Sequence, residues 1–260
     1  MKQHVPSIIA SAFLIAANCT IASPSLYIDD ASGRLGIVDV STGTTTIVGS
    51  MGTALTDIAF APNGDLYGLS FTNLYRINSQ TAALTPIGPH GISGGNALVF
   101  GTNGILYGAG NTSTGLFSIN ISTGAATLLG NIGFRSSGDL AFNNGQLYLS
   151  STTNQLVQIN QATFAGTALG PLGFSSVFGL ATGDDGVLYG LSGTQIFSVN
   201  PSTMAVTPVV NYQGHGLSQA YGTTFISEAV PEPSAILLTA PGFVGIVLLR
   251  GRSRKRLTCG

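Results

Sequence analysis

Residues 55–88 read LTDIAFAPNGDLYGLSFTNLYRINSQTAALTPIG, and related copies of this stretch recur along the interior of the chain. The most regular mark of each copy is a Leu-Tyr pair, and successive tyrosines are separated by 40, 40, 41 and 41 residues: Tyr27, Tyr67, Tyr107, Tyr148 and Tyr189. A fixed period of this length is typical of a repeat architecture. The fold should therefore use one structural unit several times.

Each copy contains four short segments that are too short for ordinary helices and are predicted to be strands. The first two segments are joined by a turn dipeptide that favours a tight type I′ hairpin: Asn63-Gly64, Asn103-Gly104, Asn144-Gly145 and Asp185-Gly186. The third segment ends at a residue whose side chain can start a turn: Asp39, Asn78, Asn120, Asn160 or Asn200. The fourth contains Pro86 in one copy and Pro208 in another, so it belongs at the edge of a sheet.

Four antiparallel strands in about 40 residues form the blade of a β-propeller. The chain enters at Leu26-Tyr27-Ile28, which matches a second strand, so the first blade lacks its innermost strand. The apolar segment 219–226 remains after four full copies and is predicted to supply that strand, which would close the ring. The predicted fold class is all-β, a five-bladed β-propeller of four-stranded antiparallel blades. An open β-solenoid is the alternative, since repeats alone fit both.

Both ends of the chain differ from the repeats. Residues 1–22 carry Lys2, then a mostly apolar run, then small residues, which is the layout of a secretory signal peptide with a helical apolar core. Cleavage is predicted between Ala22 and Ser23. Cys19 raises a lipoprotein as an alternative, but Asn18 stands where a small residue would precede a lipidated cysteine.

The repeat domain is predicted to span residues 23–228. It contains three arginines and nine acidic residues, so its net charge is negative, and binding to the phosphate backbone of a nucleic acid is disfavoured. Both cysteines of the chain, Cys19 and Cys259, lie outside this domain. The packing of the blades alone must therefore hold it together.

Residues 230–256 are predicted to form a separate C-terminal segment. It begins with Val230-Pro231-Glu232-Pro233, continues with an apolar stretch at 235–249, and ends in a cluster of five cations. The apolar stretch has 15 residues and would span only about 22 Å as a helix, which is short for a permanent anchor. The cations would remain on the cytoplasmic side. An ordinary single-span anchor is the alternative.

The order of these three elements resembles the PEP-CTERM sorting signal of exported bacterial proteins. The resemblance implies that Pro231, Glu232 and Pro233 are recognised by an exosortase, a membrane protease that removes the tail. It also implies a Gram-negative source that often makes exopolysaccharide, and a mature protein in the cell envelope or outside the cell. The chain would contact the membrane through its C-terminal segment until processing. The last four residues depart from the pattern and remain unassigned.

Three polar side chains recur near the start of the predicted innermost strands. Asp57 and Asp139 each lie three residues before a phenylalanine, and Asn96 lies four before one. Because innermost strands line the axis of a propeller, these residues are predicted to converge on an axial site for a ligand. The alternative is that they cap strand ends and hydrogen-bond to loop backbone.

Other motifs point less clearly to chemistry. The segment 91–95 matches the G-x-S-x-G pattern and follows His90, but no helix is predicted after it, as a nucleophile elbow would need. Zinc is disfavoured because the repeat domain has two histidines and no cysteine. The pairs Asp29-Asp30 and Asp184-Asp185 could offer oxygen atoms to calcium, but are better interpreted as solvated turn carboxylates. No metal or cofactor is predicted.

The sequence thus favours a non-enzymatic, exported propeller that serves as a binding or structural module. Its expected partners are the exosortase and envelope proteins or exopolysaccharide. An envelope hydrolase that uses the axial carboxylates is one alternative. A glycan-binding protein is another, with Tyr212 and Tyr221 as the aromatic residues outside the repeat pattern. The repeat tyrosines, in contrast, are expected to pack between blades.

Overall fold

The computed structural model describes residues 24–226, which form five four-stranded antiparallel sheets. Blade 1 contains β1 (Ser25–Asp30), β2 (Arg34–Asp39), β3 (Thr45–Ser50) and, from the far end of the described chain, β20 (Ala220–Phe225). Blade 2 contains β4 (Asp57–Phe60), β5 (Leu66–Leu69), β6 (Asn73–Ile77) and β7 (Leu84–Pro89). Blade 3 contains β8 (Gly95–Phe100), β9 (Leu106–Gly110), β10 (Gly115–Ile119) and β11 (Ala126–Asn131). Blade 4 contains β12 (Ser136–Asn143), β13 (Gln146–Ser151), β14 (Gln155–Ile159) and β15 (Gly166–Pro171). Blade 5 contains β16 (Val177–Thr182), β17 (Leu188–Ser192), β18 (Gln195–Asn200) and β19 (Ala205–Asn211).

The ring closes as the sequence predicts. β20 pairs antiparallel with β1, with Leu26 opposite Phe225 and Ile28 opposite Thr223. The innermost strands β4, β8, β12, β16 and β20 contact one another in succession, and β20 contacts β4 again. The five-bladed propeller is therefore confirmed. The predicted signal and sorting helices lie outside the described residues, and residues 24–226 contain no helix that is long and apolar enough to cross a membrane.

The hairpins between the first and second segments are present, but only one has the predicted type. Asn144 and Gly145 both have positive φ, and Asn143 pairs with Gln146 across them, as a two-residue type I′ turn requires. At the other three sites only the glycine has positive φ. These loops contain one residue more, for example Pro62 before Asn63, and form the three-residue turn that ends in a left-handed glycine.

The turn after each third strand follows the predicted mechanism. The side-chain oxygen of Asn78 accepts hydrogen bonds from the amides of Gln80 and Thr81 at 2.9 and 3.0 Å. The same pattern holds in every blade. Pro86 lies in β7, the outermost strand of its sheet, where no further strand needs its missing donor.

The repeat tyrosines pack between blades, as predicted. Each second-strand tyrosine contacts the phenylalanine at the end of the innermost strand of the following blade in four of the five interfaces: Tyr27 with Phe60, Tyr67 with Phe100, Tyr107 with Phe142 and Tyr189 with Phe225. The fifth interface differs, because Thr182 replaces the phenylalanine opposite Tyr148. There Asn143 spans blades 4 and 5 through Thr182 Oγ1 at 3.3 Å and the Gly186 carbonyl at 2.9 Å.

Candidate functional site

The innermost strands present two adjacent rings of equivalent positions around the axis. The first ring lies three residues before the position at the end of each innermost strand that is a phenylalanine in four of the five blades, and we call it the carboxylate ring. Its residues are acidic or small: Asp57, Ala97, Asp139, Gly179 and Gly222. The ring one residue earlier, which we call the mouth ring, has larger and uncharged side chains except at one glycine: Thr56, Asn96, Gly138, Phe178 and Tyr221. The repeat therefore brings the predicted residues Asp57, Asn96 and Asp139 to the same region, in two layers.

Asp57 and Asp139 each join two neighbouring blades. Oδ1 of Asp57 accepts from the amide of Ile58 at 2.8 Å, and Oδ2 accepts from the amide of Leu98 in blade 3 at 2.6 Å. Asp139 makes the same pair of bonds, to the amides of Leu140 and of Leu180 in blade 5, both at 2.7 Å. These carboxylates therefore bond to strand backbone of their own and the next blade, and not to loop backbone as the capping alternative supposed.

Asn96 makes a third connection between blades. Its Nδ2 donates to the Ser137 carbonyl at 2.9 Å and lies 3.5 Å from the Ser136 carbonyl. Because both partners are acceptors, the orientation of the amide is fixed, and Oδ1 is left without a partner in a side chain that is only 5% exposed. A buried acceptor without a donor is costly, so this atom marks a place where a donor is missing.

Asp29, which was not predicted to face the axis, belongs to the same cluster. It is fully buried, and neither of its carboxyl oxygens accepts a hydrogen bond of ordinary geometry among the described residues, although the backbone amides of Asp29 and Gly222 lie near enough to lower its pKa in part. A Cβ on Gly222 would overlap the backbone of Asp57 and lie 2.6 Å from Oδ1 of Asp29, so the glycine provides the space that this carboxyl occupies. The expectation of a solvated turn carboxylate is wrong here, because Asp29 lies inside β1 rather than in a turn.

Asp30 was also expected to be solvated and is instead buried. It accepts hydrogen bonds from the amides of Ser32, Arg34 and Ser218 at 2.9 to 3.0 Å. The Arg34 guanidinium adds bonds at 2.6 and 2.9 Å. Burial alone would raise its pKa, but the Ser218 amide and Arg34 outweigh burial, and the pKa lies below its ordinary value. Asp30 thus fastens the closing segment to the first hairpin.

The axial carboxyls behave in the opposite way. Burial raises the pKa of Asp57, Asp139 and Asp29 well above the ordinary value. The nearby Asp139 and Asp29 carboxylates raise the pKa of Asp57 further, because adjacent negative charges cannot both be stable in a low-dielectric interior. The interaction between these two neighbouring side chains acts to raise the pKa of Asp57 and to lower the pKa of Asp139. The cluster therefore favours shared protons over full ionisation.

The described residues contain no group of three or more acidic, histidine or cysteine side chains arranged to hold a metal ion. The carboxyls are also separated from solvent. Asp29, Asp57 and Asp139 are each fully buried, and none of them is among the residues that line the pockets at the two ends of the axis. As placed, they can hold protons and connect blades, but a substrate in either pocket would not touch them.

The pocket above the mouth ring, which we call the axial pocket, has a volume of about 700 Å³. All five positions of the mouth ring line it, and the surrounding loops of blades 1 to 4 form its walls. Three aromatic side chains are prominent among these: Phe71, Phe178 and Tyr221. Phe178 and Tyr221 meet edge to face with their ring centres 6.0 Å apart, and Phe71 is 55% exposed at a hairpin tip.

Of the two tyrosines considered for glycan contact, only Tyr221 lies at this surface. Tyr212 is fully buried, and its hydroxyl donates to the carbonyls of Gly193 and Ser218, each at 3.2 Å. The expectation that Tyr212 is a surface contact is therefore wrong. It packs in the core between blades 5 and 1.

The G-x-S-x-G segment forms the loop between β7 and β8 and does not assemble a nucleophile. Nδ1 of His90 accepts from the Ile92 amide at 3.0 Å, so its Nε2 carries the proton and donates to the Ser70 carbonyl at 3.0 Å. Ser93 bonds to Thr112 at 2.8 Å. Burial lowers the pKa of His90, which keeps the ring neutral in this structural role.

No protein-family model matches the chain, and none of the curated proteins searched matches it. Among solved structures, the chain is similar to one from a nidogen/laminin complex, with 13% identity, a TM-score of 0.53, and coverage of 76% of this chain and 84% of that one. A second similar structure comes from work on the de novo evolutionary emergence of a symmetrical protein, with 17% identity and a TM-score of 0.49 over 76% of this chain and 93% of that one. At this identity the first similarity shows the fold alone.

Proposed function

We propose that this propeller is an exported binding module whose axial pocket holds a ligand. The observation that carries the proposal is the construction of the pocket, in which one equivalent position from each of the five blades forms the floor. A concave, partly aromatic site with a few convergent polar groups is the usual form of a small-molecule site, and its volume lies within the usual range.

A binding role fits the site better than hydrolysis by axial carboxylates. The pairs of backbone amides on Asp57 and Asp139 occupy the carboxylate oxygens that a catalytic acid or base would need. Both groups are also fully buried beneath the mouth ring. Ligand contacts would instead come from the loops and the mouth ring.

The binding proposal can be tested with a substitution that leaves the core intact. Phe71→Ala removes an exposed wall of the pocket, and Leu128→Ala is a matched control because Leu128 is 60% exposed on β11, away from the pocket. Fractions of small molecules from the producing culture are screened for a rise in the Tm of the wild type. A ligand of the pocket should no longer raise the Tm of Phe71→Ala but should still raise the Tm of Leu128→Ala. Equal shifts in both variants would contradict the proposal.

The export part of the proposal rests on the two terminal sequence patterns. The mature protein should begin at Ser23 and should lack everything after about Pro233, because the exosortase-type signal is removed on delivery to the envelope. Intact mass of the secreted protein measures both ends. Pro231→Ala should leave the tail attached, while Glu228→Ala, just outside the motif, should be processed normally. A secreted wild type with a full-length C-terminus would refute the sorting proposal.

A further inference from the structure

We propose that the axial pocket is built for a neutral, hydroxyl-rich ring, that is, an uncharged saccharide unit. This inference rests on the proposed function, because it names the class of ligand for the same pocket. It follows from three properties of the lining: its charge, its aromatic walls and its uncommitted hydrogen-bonding groups.

The lining carries no formal charge. All fifteen residues that line the axial pocket are uncharged, and the hydrogen-bonding side chains among them are amides and hydroxyls. Beneath them lie Asp29, Asp57 and Asp139, which become negative when they lose their protons. An anionic ligand would thus find no cation in the lining to pair with, and it would be repelled by any negative charge on the buried carboxyls. A neutral ligand would need no such cation and would not be repelled.

The walls combine flat apolar surfaces with polar edges. Phe178 and Tyr221 form one aromatic corner, and two further aromatic side chains of the lining, Phe71 and the half-buried Tyr75, come from blade 2. A saccharide ring has C–H faces that pack on aromatic rings and hydroxyl groups around its rim. A purely apolar ligand would use the walls but would leave the polar groups between them unpaired.

Several of those polar groups have no hydrogen-bond partner within residues 24–226. No hydrogen bond within the described part of the chain involves the Ser137 hydroxyl, the Asn111 and Gln219 side-chain amides, or the Tyr221 hydroxyl, although other groups of the lining, such as the Ser70 hydroxyl, are fully used. At the floor, Oδ1 of Asn96 is buried and unpaired. That oxygen has almost no exposed surface, so the groups open to a ligand are the amides and hydroxyls named above. A ring carrying several hydroxyls offers donors and acceptors together, as these groups need.

The test uses the full chain, kept in a detergent without a sugar headgroup, and a defined set of probes. The neutral probes are the methyl glycosides of glucose, galactose, mannose and N-acetylglucosamine, with short oligosaccharides of each. Glucuronic acid is the anionic probe, and N-phenyl-1-naphthylamine is the apolar probe. Binding is followed by saturation-transfer NMR and isothermal titration calorimetry.

We expect at least one neutral glycoside to bind, and we expect glucuronic acid to bind at least tenfold more weakly than that glycoside or not at all. Phe71→Ala and Asn111→Ala should each weaken neutral binding about tenfold, which corresponds to about 1.4 kcal/mol, and Leu128→Ala should leave it unchanged. If only the apolar probe binds, and Phe71→Ala abolishes its binding, the saccharide inference is wrong and the pocket remains a binding site. If no probe binds in a pocket-dependent way, both proposals fail.

Discussion

Replacing Asp30 should open the ring at its closure. Asp30→Ala removes the acceptor for three backbone amides, among them that of Ser218, which precedes the closing strand β20. Each such bond contributes about 1 kcal/mol net. The ion pair with Arg34, whose side chain is 29% exposed, adds up to about 1 kcal/mol after screening by solvent. The expected loss in the free energy of unfolding is therefore about 4 kcal/mol, a large part of the roughly 5 to 15 kcal/mol of a typical domain.

Urea unfolding followed by far-UV circular dichroism measures this loss. Asp65→Ala is the matched control, since Asp65 also pairs with an arginine, but that arginine is 57% exposed. The control should change the free energy of unfolding little. If Asp30→Ala costs no more than Asp65→Ala, then closure does not depend on this carboxylate and the reasoning is wrong.

The pH dependence of Asp30→Ala gives an independent check. Because the folded state lowers the pKa of Asp30 below 3.8, its stabilising contribution is present above pH 3.8 and is lost as the pH falls through the folded pKa. The difference between the wild type and Asp30→Ala should therefore be largest near neutral pH and should shrink in strong acid. A difference that is constant with pH would point to a packing defect instead.

Three further outcomes follow from the axis and the blade interfaces. Since the folded state raises the pKa of Asp57 and Asp139, their stabilising contribution is complete below pH 3.8 and is lost as the pH rises through the folded values. Urea unfolding should therefore give a lower free energy of unfolding at pH 8 than at pH 5 in the wild type. This decrease should be smaller in the Asp57→Asn/Asp139→Asn double variant. Gly222→Ala should lower the free energy of unfolding by about 3 kcal/mol or more, because the added methyl group would overlap the Asp57 backbone. Gly104 has positive φ and no atom near its missing side chain, so Gly104→Ala should cost only about 1 kcal/mol in the same measurement. Phe60→Ala should cost about 3 to 5 kcal/mol in denaturant, since it removes a buried ring from the interface with blade 1, and a loss below about 1 kcal/mol would contradict the interface described above.

The repeat spacing was sufficient to predict the number of blades and the closure. A chain that starts at a second strand must find its missing innermost strand elsewhere, and segment 219–226 is the apolar stretch that remains. The turn type was less predictable. Asn-Gly fits two turn geometries, and the loop length decides between them, so Pro62 before Asn63 was the relevant signal.

The axial carboxyls were only partly predictable. Asp57 and Asp139 stand at equivalent positions of innermost strands, so the repeat pointed to them. Asp29 lies on a second strand, two residues after Tyr27, where the other blades have Leu69, Ala109, Ser150 and Leu191. An aspartate at a position where most blades have an apolar residue indicates a buried carboxyl. The space that the Asp29 carboxyl occupies depends on Gly222, which lies opposite Asp29 only because β20 pairs with β1.

The axial pocket was beyond sequence reasoning because most of its wall comes from loops. Phe71 and Asn111 lie at hairpin tips that have no fixed residue type in the repeat. The mouth ring, in contrast, was predictable, because its residues lie at a fixed distance before the phenylalanine position of each innermost strand. Its side chains differ in every blade, whereas the tyrosine position is the same in all five. Positions that hold the blades together thus repeat, and positions that face the pocket diverge.

The carboxylate ring shows why an odd number of blades breaks the symmetry of the repeat. Each of these carboxylates accepts from an amide of the next blade, and the equivalent position of that blade holds a small residue, Ala97 after Asp57 and Gly179 after Asp139. Two such pairs use four of the five positions. The fifth is Gly222, between blades 5 and 2, and its missing side chain makes room for Asp29 from the neighbouring strand. A side chain at position 222 would meet the carboxyl groups of both Asp57 and Asp29, so the innermost strand of blade 1 cannot carry the aspartate that blades 2 and 4 have at the equivalent position.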